Sequence, residues 1–148
     1  MFTPNVIIAG APKCGTTSVF DWLSDHPEVC ASTIKETCFF MDREYPSLSK
    51  VNCHTHGIEA YQSYFEHCRG KDAKVILEAT PHYLYQRIAL DILPTLRPYP
   101  KIIFILRKPS ERVFSLYQFT QNNLAVLNKN ISFSDFISII KHDPNGIL

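Results

Sequence analysis

The chain has 148 residues, enough for one domain with a sizeable core, and 45% of them are apolar. Fifteen basic against fourteen acidic residues leave a formal net charge of +1 at pH 7. That balance excludes a strongly basic field for nucleic acid or a polybasic membrane surface. Five cysteines, odd in number and irregularly spaced, do not read as a disulfide framework, and no apolar run approaches a membrane span.

Asn5 to Ala9 is short and β-branched and runs into Gly10, the pattern of a buried parallel strand. Gly10-Ala11-Pro12-Lys13-Cys14-Gly15-Thr16-Thr17 follows, with the outline of a phosphate-binding loop. Thr16 stands where a triphosphatase loop carries its lysine, and the lysine has moved inside the loop to Lys13. Thr16 to Asp25 reads as a helix, with Val19, Phe20 and Leu23 on one face and Pro27 beyond its end. Residues 28–56 show no sustained period and read as a loop-rich excursion. Within it Cys53-His54-Thr55-His56, taken with His67 and Cys68, suggests a zinc site only weakly, because paired C-x-x-C spacing is absent. No metal is expected.

Ile58, Tyr61, Phe65 and Cys68 recur at helical spacing, with Gly70 as a stop. Lys74 to Ala79 reads as a second buried strand. Thr80-Pro81 then opens a helix through about Ile92, with Thr80 as its cap. Lys101 to Arg107 is the clearest strand, and Ser110 caps a helix to about Asn122. Ser132-x-x-Asp135 resembles a capping box before a final amphipathic helix. Strands alternating with helices predict an α/β domain with a parallel sheet, and three strands are visible.

Ligands of open parallel sheets bind beyond the carboxyl ends of the strands. There the first loop offers amides, the hydroxyls of Thr16 and Thr17, and the Lys13 charge, together an anion nest. After the third strand, Arg107 and Ser115 offer a guanidinium and a hydroxyl for a second phosphate. The pair suits a ligand with separated phosphates.

These segments resemble the amino-terminal part of sulfotransferases that use 3′-phosphoadenosine-5′-phosphosulfate (PAPS), of the heparan-sulfate and carbohydrate type, and their bacterial relatives. Gly10 to Thr17 with Trp22-Leu23 and His26-Pro27 is similar to that family's 5′-phosphosulfate loop and first helix. Leu106-Arg107-Lys108-Pro109-Ser110-Glu111-Arg112-Val113-Phe114-Ser115 is similar to its 3′-phosphate segment. Lys35-Glu36-Thr37-Cys38-Phe39-Phe40 resembles the segment that carries its catalytic base. The resemblance implies a P-loop-like three-layer fold over residues 1–148, incomplete at its C-terminus because a later basic-glycine loop is missing. It implies PAPS as co-substrate, Ala11, Pro12, Lys13, Cys14, Gly15, Thr16, Thr17, Arg107 and Ser115 as its contacts, and Lys13 and Glu36 as catalytic residues.

Lys13 would neutralise charge on the bridging oxygen, and Glu36 would deprotonate the acceptor hydroxyl of a carbohydrate or small metabolite. Ala79 stands where heparan-type enzymes carry a lysine, which weakens the case for a glycosaminoglycan acceptor. Glu78 is read as tying loops together. A P-loop small-molecule kinase and a non-catalytic nucleotide-binding fragment are the alternatives. The compartment reads as cytoplasmic in this form, or as the Golgi lumen if an upstream anchor has been removed.

Overall fold

In the computed structural model, which describes residues 2–46, 48–124 and 127–142, the chain divides into two compact units, Met1–Leu106 and Arg107–Leu148. Among the described residues the first contains four strands: β1 (Val6–Gly10), β2 (Val29–Ala31), β3 (Val75–Ala79) and β4 (Lys101–Phe104). All pair in parallel, in the order β2-β3-β1-β4. The chain runs from β1 out to β2, back to β3, and across to β4 on the far side of β1. The order therefore reverses about β1, and a ligand crevice belongs at its carboxyl end.

Side-chain alternation along β1 assigns its two faces. Ile8 packs with Phe20, Leu77 and Ala79 on the side covered by α1 (Thr16–Ser24). Ile7 and Ala9 pack on the other side with Phe39, Phe40, Tyr61, Phe65 and Tyr83. In that aromatic cluster Phe40 lies 4.6 Å from Tyr61 and 5.9 Å from Tyr83 between ring centroids. With both faces covered, the unit has the three layers expected of a parallel sheet.

Several elements differ from their sequence-based expectation. The 28–56 excursion contains β2 and the one-turn helix α2 (Cys53–His56), so the sheet has four strands where three were visible. Ile58–Cys68 is a 3-10 helix. The helix expected from Thr80 to Ile92 is a 3-10 turn (Pro81–Tyr85) and α3 (Arg87–Ile92), separated by an extended Gln86. The cause is distant: Gln86 Oε1 accepts the Asp42 amide at 2.7 Å, and the Asp42 carboxylate accepts the amides of Arg87 (3.0 Å) and Ile88 (2.9 Å). Asp42 thus caps α3 from across the fold. The third expected strand stops at Phe104, short of Arg107. It is an edge strand, with Ile102 and Phe104 exposed.

Cys30 and Cys68 are joined in a disulfide, a pairing that the odd number and irregular spacing of the cysteines did not suggest. The mid-strand position of Cys30 on β2, itself invisible in the sequence, brings the two together. Cys14, Cys38 and Cys53 are free thiols.

In the second unit α4 (Pro109–Asn122) begins at Pro109 after Lys108, so Ser110 lies inside the helix and is not its cap. The capping box forms as expected: Ser132 Oγ accepts the Asp135 amide at 3.2 Å and donates to its carboxylate at 2.7 Å. It opens α5 (Phe133–His142), whose buried Phe136 lies 5.4 Å from the Tyr117 ring.

Candidate active site

The loop after β1 is held at both ends. Gly10 O accepts the Ile105 amide at 2.7 Å, and the Ala11 amide donates to Ile105 O at 2.9 Å. A Cβ on Gly10 would meet Leu84 at 3.0 Å and Phe104 at 3.2 Å, so this glycine is a packing requirement. Gly15 is required for another reason. Its φ of 87° is left-handed, whereas a Cβ there would meet nothing within 4 Å.

The first amide to bond back into α1 is that of Val19, to Gly15 O. Gly15 has no side chain with which to cap the helix, so the amides of Thr16 to Ser18 stand at an uncapped helix N-terminus. Thr16 is buried beneath them and Thr17 is exposed. Ala11 and Cys14 contribute differently, since both amides are already bonded, the latter to Ala11 O at 3.2 Å. These two shape the loop, while Gly15, Thr16 and Thr17 present it.

Lys13 and Glu36 share an uncommon backbone state, with φ of 65° and 60°, and Cys38 has φ of 49°. Left-handed conformations cost non-glycine residues free energy and concentrate at functional sites. The segment that holds Glu36 is over-determined. The Glu36 amide donates to Ala79 O at 2.8 Å, Thr37 Oγ1 donates to Glu78 Oε1 at 3.0 Å, and the Cys38 amide donates to Thr80 Oγ1 at 3.3 Å. The fully buried Phe39 and Phe40 anchor its other end. Glu36 is thereby fixed at the carboxyl end of β3, next to the end of β1.

Electrostatics tie these positions together. Burial lowers the Lys13 pKa below the usual lysine value, the Glu36 charge opposes that shift, and Lys35 adds to it. Lys13 therefore lies in the field of the Glu36 carboxylate. Glu36 also forms an ion pair with Lys35.

Beneath them lies Glu78, wholly buried. Burial pushes its carboxyl up to about 7, only partly offset by hydrogen bonds from Thr80 and Thr37. Thr80 Oγ1 donates to Glu78 Oε1 at 2.5 Å, while Glu78 Oε2 has no hydrogen-bond partner. Glu78 does tie the loops together, as its sequence position suggested. The threonines on either side of it were missed: Thr80 reads as a helix cap in sequence, yet its hydroxyl serves Glu78 and Cys38. An apolar groove of about 490 Å³, lined by Leu84, Leu90, Leu93, Ile102 and Phe104 among others, includes none of Lys13, Glu36 or Glu78.

Arg107 and Ser115 lie in the second unit. Arg107 Nε donates to Glu111 Oε2 at 2.9 Å in an exposed pair, and Ser115 is half-buried on α4. Exposed pairs of this kind are worth little.

A glycine-bounded loop with an internal lysine, and a glutamate whose amide is bonded to the end of β3, thus lie at the carboxyl end of the sheet. The family model described as "Sulfotransferase domain" matches residues 3–143. The chain belongs to the sulfotransferase domain family. A membrane-associated sulfotransferase of Dictyostelium discoideum is 33% identical over 118 residues, covering 79% of this chain and 23% of that protein. The human bifunctional heparan sulfate N-deacetylase/N-sulfotransferase 3 is 27% identical over 144 residues, 97% of this chain and 16% of that protein. The crystal structure of a sulfotransferase from Alicyclobacillus acidocaldarius superimposes with a TM-score of 0.74 at 29% identity, over 96% of this chain and 58% of that one. This sulfotransferase-family chain thus spans between about a sixth and somewhat over half the length of these relatives. Among the described residues no helix is long and apolar enough to cross a membrane.

Proposed function

We propose that this chain carries the donor-binding and catalytic residues of a sulfotransferase that moves a sulfuryl group from PAPS to an acceptor hydroxyl on a carbohydrate or small metabolite. The observation that carries the reading is the position of Lys13 and Glu36 just beyond the ends of β1 and β3, each in a left-handed backbone, with Lys13 in the field of the Glu36 charge. Strain retained at two charged side chains in one crevice favours function over accident.

In this reading the uncapped turn at Thr16 to Ser18 and the Thr17 hydroxyl hold the 5′-phosphate, and the resemblance of residues 106–115 to the family's 3′-phosphate segment gives Arg107 and Ser115 that role. The bond between sulfur and the bridging phosphate oxygen breaks as a bond forms from the acceptor oxygen to sulfur. The acceptor's proton passes to Glu36, and the charge left on the bridging oxygen is met by Lys13. The products are a sulfate ester and adenosine 3′,5′-bisphosphate. The family match favours this reading over the kinase alternative.

Transfer of labelled sulfate from PAPS to a panel of sugar and phenolic hydroxyls tests the proposal. Glu36→Gln is expected to slow it by about 10²–10⁴-fold, the range of a lost general base. Unchanged transfer in that variant would remove Glu36 from the mechanism. Saturable bisphosphate binding with no transfer to any acceptor would favour a non-catalytic binding module.

A further inference from the structure

We propose that Cys30, His67 and Cys68, once the disulfide is reduced, form a binding site for a zinc-like divalent metal ion. The site lies at the outer edge of the sheet, where β2 meets the end of the Ile58–Cys68 3-10 helix. Nothing in the sulfotransfer reading uses it. It is the one group of His, Cys, Asp and Glu among the described residues whose ligand atoms all come within 4.8 Å of one another.

The geometry of the histidine carries the argument. His67 Nε2 stands 3.5 Å from Cys30 Sγ and 3.4 Å from Cys68 Sγ. In a tetrahedral zinc site, bonds of about 2.3 Å to sulfur and about 2.0 Å to nitrogen put nitrogen and sulfur about 3.5 Å apart. The imidazole is thus already at the required separation from both sulfurs. The sulfurs must part to about 3.8 Å by the same geometry, and the exposed ring must follow them. Their Cα atoms are 5.8 Å apart, close enough for both side chains to reach one ion.

The surroundings suit such a site. Both cysteines are buried while His67 is exposed, so an ion can enter past the ring. Three protein ligands leave the fourth position to water, the pattern of open zinc sites. Lys71 Nζ, 3.8 Å from Cys30 Sγ, puts a positive charge beside the sulfur that must become a thiolate, and its exposed chain can swing out when the ion arrives.

The chemistry balances in two steps. Two thiol equivalents reduce the disulfide, giving two cysteine thiols and one external disulfide. The metal ion then displaces both thiol protons and takes the lone pair of neutral His67 Nε2. The covalent tie between β2 and the helix end is replaced by a coordinate one.

The probe is cobalt(II), titrated anaerobically into the intact chain before and after reduction with a phosphine that is then removed. Reduced protein, its fold checked by circular dichroism, is expected to bind one equivalent with thiolate-to-cobalt charge-transfer absorption. The oxidised protein is expected to show none. His67→Ala, a surface change that leaves the core intact, should weaken binding at least about tenfold. Cys30→Ser should abolish the charge-transfer band, and Cys53→Ser should leave it unchanged. Absence of the band in reduced protein, folded or not, would overturn the proposal. So would a band that survives Cys30→Ser or is indifferent to His67→Ala.

Discussion

Glu78 shows how a single side chain can record both folding and function. A carboxyl whose folded pKa is about 7, against an ordinary 4.5, is held neutral by burial. The folded state therefore binds more protons than the unfolded state between those values. Stability from this group is fully present below about pH 4.5 and is lost as pH rises through about 7. Glu78→Gln cannot ionise and lacks this slope. In parallel denaturant titrations, wild type minus variant stability should fall steadily across that window, and a flat difference would mean that Glu78 is ionised throughout. The consequence for the site is positional, since Thr37 and Thr80 bond to the same carboxylate oxygen and fix the backbone on either side of Glu36.

At the scale of elements, the loop between β1 and α1 was legible because its signals are local. A β-branched run gives way to helical periodicity across two glycines, and each glycine has its own physical reason. Gly15→Ala should cost about 1 kcal/mol, since alanine must adopt a left-handed φ with no steric contact to blame. Gly70, with φ of 76° and equally open surroundings, provides the control. Both variants should lower the denaturation midpoint, but only Gly15→Ala should also weaken binding of adenosine 3′,5′-bisphosphate. Equal binding losses would place Gly15 outside the site. Elements defined by distant partners were not legible. β2 is three residues long with no period of its own, and only its ladder with β3 makes it a strand. The break at Gln86 depends on Asp42, far away in sequence, and apolar residues three and four apart fit 3-10 and α geometry alike.

For the whole molecule, the sequence supplied Lys13 and the loop from physical chemistry, but Glu36 only through its flanking resemblance. A glutamate after a lysine in an aperiodic stretch reads as a solvated loop charge. What distinguishes Glu36 is its left-handed backbone and its tie to Ala79, neither of which has a local signature. Arg107 was singled out by its expected place at the end of the third strand, which stops at Phe104, and its assignment to the 3′-phosphate is separately testable. Arg107→Ala should weaken adenosine 3′,5′-bisphosphate roughly tenfold or more, the scale of a lost charge-assisted bond, while leaving adenosine 5′-phosphate nearly unaffected. Equal losses for both ligands would assign Arg107 to something other than the 3′-phosphate.

The central claim is that the loop from Gly10 to Thr17 is a donor site for a phosphosulfate nucleotide. Calorimetric titration of the chain with adenosine 3′,5′-bisphosphate in the absence of magnesium tests it most directly. Saturable binding of one equivalent is expected, clearly weakened in Lys13→Ala. No binding of the bisphosphate, with magnesium-dependent binding of ATP in its place, would contradict it.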